Sequence, residues 1–290
     1  RFMGKSDRVF NRHRGGKIET VSKVPLDSLQ QLRDLYTPGV ARVCLAIQKE
    51  PEKVWEYTNL GNTVGIITNG TAILGLGHIG ALPGLPVMEG KAMIYAKFVG
   101  ISGVPILLKD TDPGKVIATV LAIESSFGAI HLEDFAAPAC FEIEAELIRL
   151  LDKPVMQDDQ HGTAVVALGA LLTATRRVGR DLKGAVIGQI GLGAAGIGIA
   201  RLLMRYGVKQ VLGADLREEA LARLEGMGGK RASLADLMRK ADIVIATSGV
   251  KGLIKPEWVR KGQMVFALSN PEPEIEPRMA LEQDRKSTRL

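Results

Sequence analysis

The chain has 290 residues, 46% of them hydrophobic, and a mean hydropathy of +0.10, which is enough apolar sequence for two globular domains. No apolar run reaches the roughly 18 residues of a membrane span, and no signal peptide is recognisable, so we expect no membrane partner. The net charge of +6 resides at the chain ends, and aromatic residues make up only 4%, which argues against nucleic acid as a partner.

The ends and the cysteines carry two further expectations. Residues 1–23 hold seven Lys or Arg and begin at Arg1 without an initiator methionine, so we expect the natural N-terminus to lie upstream. Cys44 and Cys140 lie in apolar stretches and read as buried free thiols. That usage is typical of a reducing cytoplasm, where we place the protein.

The first predicted elements are two helices joined by a short turn. Leu26–Leu35 has helical spacing, and a second helix is predicted over Gly39–Gln48. Pro38 disfavours helix at the preceding residue and fits the start of the second helix. Tyr36 is therefore held in a fixed joint, although a tyrosine packed in the core would give the same pattern.

A strand over Val64–Thr68 leads into a glycine-rich segment, residues 70–86, that imitates a dinucleotide loop but lacks the βαβ context. We predict that the next helix opens at Met88–Lys91 and runs through Ala92–Val99. Lys91 then lies at a helix start, where the helix dipole disfavours a cation, so a lowered pKa is expected. The alternative is an ordinary solvated lysine.

Two acidic pairs dominate the centre of the chain. They are Glu133–Asp134 and Asp158–Asp159, and they follow the predicted strands Ala129–Leu132 and Pro154–Met156, with a helix between. Because a strand, helix, strand unit gives parallel neighbours, both pairs should meet at the ligand-binding edge of the sheet. Four carboxylates repel one another unless a cation lies among them, and oxygen ligands suit Mg²⁺ or Mn²⁺. The alternative is that these acids cap helices and are solvated.

His161 is assigned no metal role, because a hard cation prefers the oxygens already present. We predict instead that His161-Gly162-Thr163 starts a helix, with Thr163 as the N-cap, which continues over Ala164–Val178.

A dinucleotide motif follows in full context. A strand over Gly184–Ile190 runs into a G-x-G-x-x-G loop, then a helix, then a strand over Gln210–Ala214 that ends in an acid 19 residues beyond the last glycine. The loop glycines are Gly191, Gly193 and Gly196, and the acid is Asp215. Asp215 can bind the ribose hydroxyls and would repel a 2′-phosphate, which favours NAD, although Arg217 nearby keeps NADP possible.

Two more strands are predicted, Asp242–Ala246 and Met264–Leu268, and the second ends at Asn270. Asn270 suits either a ligand contact or an Asx-type turn before proline. The terminal residues 282–290 are polar and show no helix or strand pattern. We therefore predict an α/β fold with two domains, an N-terminal α/β catalytic domain over residues 1–160 and a Rossmann-type, doubly wound parallel sheet over residues 161–290.

The motifs together resemble those of the bacterial-type malic enzymes. The matching segments are GGKIE at 15–19, YTPGVARVCLAI at 36–47, NGTAILGLGHIG at 69–80, LPVMEGKAM at 85–93, LEDFAAPACFEIE at 132–144, DDQHGTAVV at 158–166, GLGAAGIGIA at 191–200 and FALSNPEPEI at 266–275. The resemblance implies oxidative decarboxylation of malate to pyruvate and CO₂ with NAD or NADP and Mg²⁺ or Mn²⁺. We also expect a homo-oligomer, a dimer or larger.

The resemblance also assigns roles to residues. Tyr36 and Lys91 resemble the family's catalytic tyrosine and lysine, and Asp158 the acid that pairs with the lysine. Asn270 resembles the first of two substrate-side asparagines, which we group with the cofactor-binding residues. The metal ligands would be Glu133, Asp134 and Asp159.

The chain departs from the family at Asn69, where Asp is usual, and at His78, where Asn is frequent. Family members also continue beyond residue 280, so we expect an internal fragment that lacks the C-terminal part, with an RKSTRL tail of foreign origin. Three alternatives stay open: a malolactic-type lyase that retains NAD, a non-catalytic dinucleotide-binding module, and an amino-acid dehydrogenase, against which the four carboxylates weigh.

Overall fold

The computed structural model describes residues 7–73 and 75–288. It contains two sheets flanked by helices, and this confirms the α/β fold with two sheets. One compact unit comprises the chain up to Asn69, Gly80–His131 and Glu146–Val155, and the other comprises Gly70–Ile79, Leu132–Ala145 and the chain from Met156 onward. The boundary between residues 160 and 161 remains a prediction.

The first sheet has four strands in the order β2-β1-β3-β4, and β1 and β2 pair in parallel. Helix α5 packs against β1 in its core. The buried apolar side chains there are Met88 and Ala92 of α5 and Ile66 of β1. The elements of this part are α1 (Arg8–His13), α2 (Leu29–Leu35), α3 (Val40–Lys49), α4 (Val54–Tyr57), β1 (Thr63–Thr68), α5 (Ala81–Ile94), β2 (Ser102–Leu107), α6 (Pro113–Ile123), β3 (Ala129–Leu132), α7 (Ala139–Leu150) and β4 (Val155–Gln157).

Helix α5 begins earlier than predicted, and this changes the surroundings of Lys91. The helix starts at Ala81 and is followed directly by a π-helical turn at Tyr95–Val99, so Lys91 lies well inside a helical segment and not at a helix start. The predicted helix start at Met88–Lys91 is therefore wrong, and the dipole argument that rested on it no longer applies to Lys91. Pro83 and Pro86 made the segment look like a loop, but a proline in the first turn removes an N–H that has no intrahelical acceptor, and Pro86 is tolerated inside the helix.

The second sheet is parallel, with strands in the order β7-β6-β5-β8-β9. In chain order this is the third, second, first, fourth and fifth strand, which is the Rossmann order, so the predicted dinucleotide-type sheet is confirmed. Its elements are α8 (Asp158–Arg177), β5 (Val186–Ile190), α9 (Ala194–Tyr206), β6 (Gln210–Ala214), α10 (Glu218–Gly226), β7 (Lys230–Arg231), α11 (Leu234–Lys240), β8 (Ile243–Ala246), β9 (Met264–Ala267) and α12 (Pro277–Thr288).

Two further expectations are wrong. Helix α8 starts at Asp158, and its N-cap is Gln157, whose side chain accepts the N–H of Gln160, so Thr163 is not the cap.

Residues 282–288 belong to helix α12, although no helix pattern was recognised there. Glu, Gln, Arg and Lys are good helix formers, and a helix rich in them shows no apolar periodicity. Residues 1–6 of the basic N-terminal stretch and residues 289–290 of the tail lie outside the described residues. Within the described part, no helix has the length and apolar character to cross a membrane.

Candidate functional site

Three carboxylates converge at the start of α8. Glu133 and Asp134 follow β3, and Asp159 lies in the first turn of α8, directly after β4. One oxygen of each lies within 4.8 Å of the others. The first two side chains are buried and the third is half-buried. The structure therefore brings together the three residues predicted as metal ligands.

The backbone at this cluster holds it in an uncommon conformation. Asp134 has a φ of 58°, and it is the one non-glycine residue with positive φ in the described part of the chain. Its N–H donates to Oδ2 of Asp159 at 3.0 Å. Backbone conformations of this kind persist where surrounding structure enforces them, and they are enriched at functional sites.

The electrostatics of the cluster favour a bound cation. Burial, followed by the charges of Glu133 and Asp134, raises the pKa of Asp159 from an ordinary 3.8 to about 8. A divalent cation would reverse this, because it stabilises the ionised carboxylates. Three carboxylates without sulfur or imidazole are a donor set that fits Mg²⁺ or Mn²⁺.

A buried polar network supports Asp159, and sequence analysis missed it. Glu144 is 5% exposed and accepts the N–H of Gln157 at 2.7 Å and the side-chain amide of Gln160 at 3.0 Å. His161 lies 2.9 Å from the same carboxylate, and the Gln157 side chain donates to Asp159. The signal available in the sequence was the position of Glu144, a charged residue in the helix between the two acidic pairs.

The predicted catalytic residues are distributed over the two compact units. Tyr36 is the C-cap of α2 and is 67% exposed, so it is not a core residue. Lys91 is half-buried in α5, and both belong to the first compact unit, whereas the acidic cluster belongs to the second. Asp158 lies in the first turn of α8, with Oδ1 over Gly162, where a Cβ would come within 2.0 Å of it.

The glycine loop after β5 has the geometry of a dinucleotide-binding turn. Gly191 has a φ of +82°, and a Cβ there would lie 2.7 Å from the Thr247 carbonyl oxygen. A Cβ at Gly196 would lie 1.9 Å from the Gly191 carbonyl oxygen, so both positions require glycine. At Gly193 a Cβ would meet only the Arg217 guanidinium, at 3.9 Å, which leaves open space over the start of α9. That space is where a pyrophosphate can approach the backbone N–H groups.

Asp215 directly follows β6 and accepts hydrogen bonds from Leu192 and Arg217. Its oxygens accept the N–H of Leu192 at 2.7 Å, the N–H of Arg217 at 2.9 Å and the Arg217 guanidinium at 3.2 Å. Burial raises the pKa of this carboxyl, but the hydrogen bonds from Arg217 and Leu192 outweigh burial and hold the pKa below its ordinary value. Asp215 is therefore ionised and oriented beside the glycine loop.

A cavity of about 590 Å³ opens beside Asp215. Its volume falls in the range of small-molecule sites. The walls come from the ends of β5 and β6 and from the loops after β7 and β8, and they are mostly apolar, with lining residues that include Gly191, Asp215, Ala232, Ser248, Val250 and Leu253. An apolar slot next to an acid at the second strand suits the adenosine half of a dinucleotide.

Asn270 lies after β9 and is exposed. It is not among the residues that line the cavity. Its carbonyl oxygen would lie 2.3 Å from a Cβ at Gly75, so the glycine-rich segment passes closely over this turn. Gly75 thus serves close backbone packing and does not belong to a dinucleotide loop.

Comparisons with known proteins match both parts of the chain. Residues 15–113 match the family model of the malic enzyme N-terminal domain. Residues 158–251 match the NAD binding domain of D-isomer specific 2-hydroxyacid dehydrogenases.

Three relatives are similar over nearly the whole chain. NAD-dependent malic enzyme 1 of Bacillus subtilis is 56% identical over 96% of this chain, which spans 63% of that relative's length. The bifunctional malic/malolactic enzyme of Bacillus subtilis is 39% identical over 92% of this chain, which spans 69% of it. The crystal structure of NAD-dependent malic enzyme from Thermotoga maritima superposes with a TM-score of 0.88 at 37% identity, over 97% of this chain and 79% of that one.

Proposed function

We propose that this chain, which belongs to the malic enzyme family, provides the metal and dinucleotide sites for oxidative decarboxylation of malate to pyruvate and CO₂ with reduction of NAD. The observation that carries the proposal is the buried cluster of Glu133, Asp134 and Asp159. A dehydrogenase that only transferred hydride would not need three converging carboxylates.

The metal role follows from the donor set. Glu133, Asp134 and Asp159 would hold Mg²⁺ or Mn²⁺ through carboxylate oxygens. When bound, such a cation lowers the pKa of a substrate hydroxyl and stabilises negative charge that develops on the substrate. Gln157 and the N–H of Asp134 orient one oxygen of Asp159, which leaves its other oxygen for the cation.

The proton transfers are assigned to Tyr36 and Lys91 of the first unit and to Asp158 of the second. Lys91 would accept the proton of the C2 hydroxyl as hydride leaves C2, and Asp158 would orient the lysine side chain. Tyr36 would donate a proton to C3 after CO₂ has left. Its exposed phenol is consistent with a residue that faces a ligand or another surface.

The dinucleotide role is assigned to the second unit. NAD supplies the hydride acceptor when bound. Gly191, Gly193 and Gly196 shape the pyrophosphate turn, and Asp215 would accept hydrogen bonds from the adenosine ribose hydroxyls. Because the Arg217 guanidinium is occupied by Asp215, we propose NAD in preference to NADP. Asn270 would bind the nicotinamide ribose side or the substrate.

The test is an assay of the protein with malate, NAD or NADP, and Mg²⁺ or Mn²⁺, following NADH absorbance and CO₂ together. We expect equal amounts of both products and their loss in EDTA. Asp159→Asn should abolish turnover, whereas Asp152→Asn, an exposed acid before β4, should not. NADH without CO₂ would contradict the proposal.

A second candidate is a malolactic activity, which the bifunctional relative favours. It would convert malate to lactate and CO₂ with NAD retained, so CO₂ would appear without net NADH. Product analysis by chromatography separates lactate from pyruvate.

We also propose a homo-oligomer in a reducing cytoplasm. The side chains that support an oligomer are apolar and exposed on α1 to α3, with Phe10 63%, Leu29 74% and Leu45 64% exposed. Cys44 and Cys140 are both free thiols, although only Cys140 is buried, so the expectation of a buried thiol is wrong for the exposed Cys44. Light scattering after size exclusion should give a mass of two or more chains.

A further inference from the structure

A buried glutamate beside the dinucleotide cavity has no role in the proposed chemistry. Glu274 is 0% exposed and lies between β9 and α12. Its carboxylate accepts the N–H of Ser248 at 2.6 Å and the hydroxyls of Ser248 at 2.8 Å and Ser269 at 2.5 Å. The donors are neutral groups from two different loops, so the carboxylate joins the loop after β8 to the turn after β9.

The backbone of residues 273–274 also accepts hydrogen bonds from the loop after β8. The N–H of Ile254 donates to the carbonyl of Glu274 at 3.0 Å, and the N–H of Gly252 donates to that of Pro273 at 3.2 Å. Ser269 completes the link, because its hydroxyl oxygen accepts the N–H of Gly249 at 2.8 Å. Five hydrogen bonds and the Lys251–Glu272 ion pair thereby attach residues 248–254 to residues 269–274.

The loop that is attached in this way forms one wall of the cavity. Ser248, Val250 and Leu253 line it together with Asp215. The loop also contacts the dinucleotide turn, since a Cβ at Gly191 would lie 2.7 Å from the carbonyl oxygen of Thr247. A shift of this loop would change both the width of the cavity and the packing of the first glycine.

We propose that Glu274 is a positioning residue for dinucleotide binding, which holds the loop 247–254 as a fixed wall of the adenosine cavity. The proposal rests on the assignment of that cavity to NAD. Burying a carboxylate among neutral donors is costly unless its hydrogen bonds are complete, so its presence points to a requirement for loop geometry. A neutral amide weakens the arrangement, because Oε1 accepts all three short hydrogen bonds and an uncharged oxygen is a poorer acceptor for them. Its NH2 group would also face the N–H of Ser269, which donates to Oε2 at 3.4 Å.

The test compares Glu274→Gln with Glu276→Gln, a matched change two residues away at an exposed position. NADH affinity is measured by fluorescence titration, and Mn²⁺ affinity by calorimetry. We expect Glu274→Gln to weaken NADH and ADP-ribose binding at least tenfold, to leave Mn²⁺ affinity within twofold, and to speed hydrogen exchange at residues 248–254. Glu276→Gln should match the unaltered protein in each measurement. Weakening of ADP-ribose as well as NADH places the effect at the adenosine half.

Unchanged NADH affinity in Glu274→Gln would overturn the positioning role, and so would a parallel loss of Mn²⁺ affinity, which indicates general destabilisation. Failure of the unaltered protein to bind NADH would instead overturn the proposed function of the cavity. If Glu274→Gln does not fold, Ser269→Ala removes one donor and leaves the carboxylate in place. Wild-type NADH affinity in a folded Ser269→Ala variant would then also overturn the proposal.

Discussion

The side-chain amide of Gln157 donates a hydrogen bond to Oδ2 of Asp159, the same oxygen that accepts the N–H of Asp134 at 3.0 Å. Gln157 is itself fixed, because its backbone N–H donates to Glu144 and its side-chain Oε1 accepts the N–H of Gln160, which caps α8. One residue thus sets both where α8 begins and how Asp159 faces the acidic cluster.

Replacing Gln157 should therefore weaken metal binding. Gln157→Met keeps the volume but removes the amide, and we expect Mn²⁺ affinity to fall by about 10- to 100-fold. Isothermal titration measures the affinity, and Gln48→Met, at an exposed site on α3, is the control. Equal affinities in the two variants would show that Asp159 needs no support from Gln157.

The raised pKa of Asp159 predicts a pH dependence with a definite sign. Between pH 3.8 and about 8 the folded, metal-free chain holds this proton more tightly than the unfolded chain, so its contribution to stability is lost as pH rises through that window. Metal binding requires the ionised form, so Mg²⁺ affinity should rise by about tenfold per pH unit up to about pH 8.

Thermal unfolding with EDTA and with Mg²⁺ at pH 6 and pH 8.5 checks this prediction. The increase in Tm on adding Mg²⁺ should be larger at pH 8.5, and Asp159→Asn should abolish the increase. Asp152→Asn should retain it, because that side chain is exposed. A metal effect that is independent of pH would mean that Asp159 is already ionised without metal.

Two glycines of the dinucleotide loop should respond differently to alanine. Gly193→Ala has room for its methyl group, so the free energy of unfolding should change by less than about 0.5 kcal/mol while NADH affinity falls at least tenfold. Gly196→Ala places Cβ 1.9 Å from the Gly191 carbonyl oxygen and should destabilise the fold by about 2 kcal/mol or more. Urea unfolding and NADH titration distinguish the two effects. Full NADH affinity in Gly193→Ala would show that the pyrophosphate does not bind over Gly193.

Asp215 should set the choice between NAD and NADP. In Asp215→Ser the Arg217 guanidinium loses its partner and becomes available to a 2′-phosphate, so the ratio of kcat/KM values should shift toward NADP by at least about tenfold, or roughly 1.4 kcal/mol. NAD affinity should also fall, because the N–H of Leu192 loses its acceptor. Adding Arg217→Ala should reverse the gain for NADP, and its persistence would assign the discrimination to another residue.

Tyr36 and Lys91 should fail at different steps in a protein that turns over malate. Tyr36→Phe should still form NADH in a first turnover and then stall, because the enol is not protonated. Lys91→Ala should fail before NADH appears, because no group accepts the hydroxyl proton. Rapid-mixing absorbance with parallel CO₂ measurement resolves the order. A burst in Lys91→Ala but not in Tyr36→Phe would exchange the two roles.

The sequence was sufficient for elements with strong periodicity or a specific motif. The strands Ala129–Leu132 and Gln210–Ala214 appear as predicted, and the Rossmann order follows from the βα alternation. The predicted start of α5 was wrong, because the prolines and glycines of this segment have low helix propensity. They are compatible with a helix only when tertiary packing offsets that low propensity. Packing of Met88 and Ala92 against Ile66 is a long-range property that no local pattern contains.

The site was predictable where the acids are adjacent in sequence and less so where support comes from a distance. Glu133, Asp134 and Asp159 could be grouped because each follows a strand at the same sheet edge. Glu144 and Glu274 could not be found in this way, because their roles depend on burial and on hydrogen bonds from backbone N–H groups. Those partners are 13 and 26 residues away in sequence.

Gly198 in α9 has a consequence that concerns how the two binding sites can move. A Cβ at this position would lie 2.4 Å from the carbonyl oxygen of Gln160, so α8 and α9 meet backbone to backbone. Gln160 is the neighbour of Asp159, and Gly198 lies one turn into the helix that begins at the glycine loop. The N-terminal turns of α8 and α9 are therefore held together by direct backbone contact. A displacement at the start of α9 would reach the start of α8 without any intervening side chain.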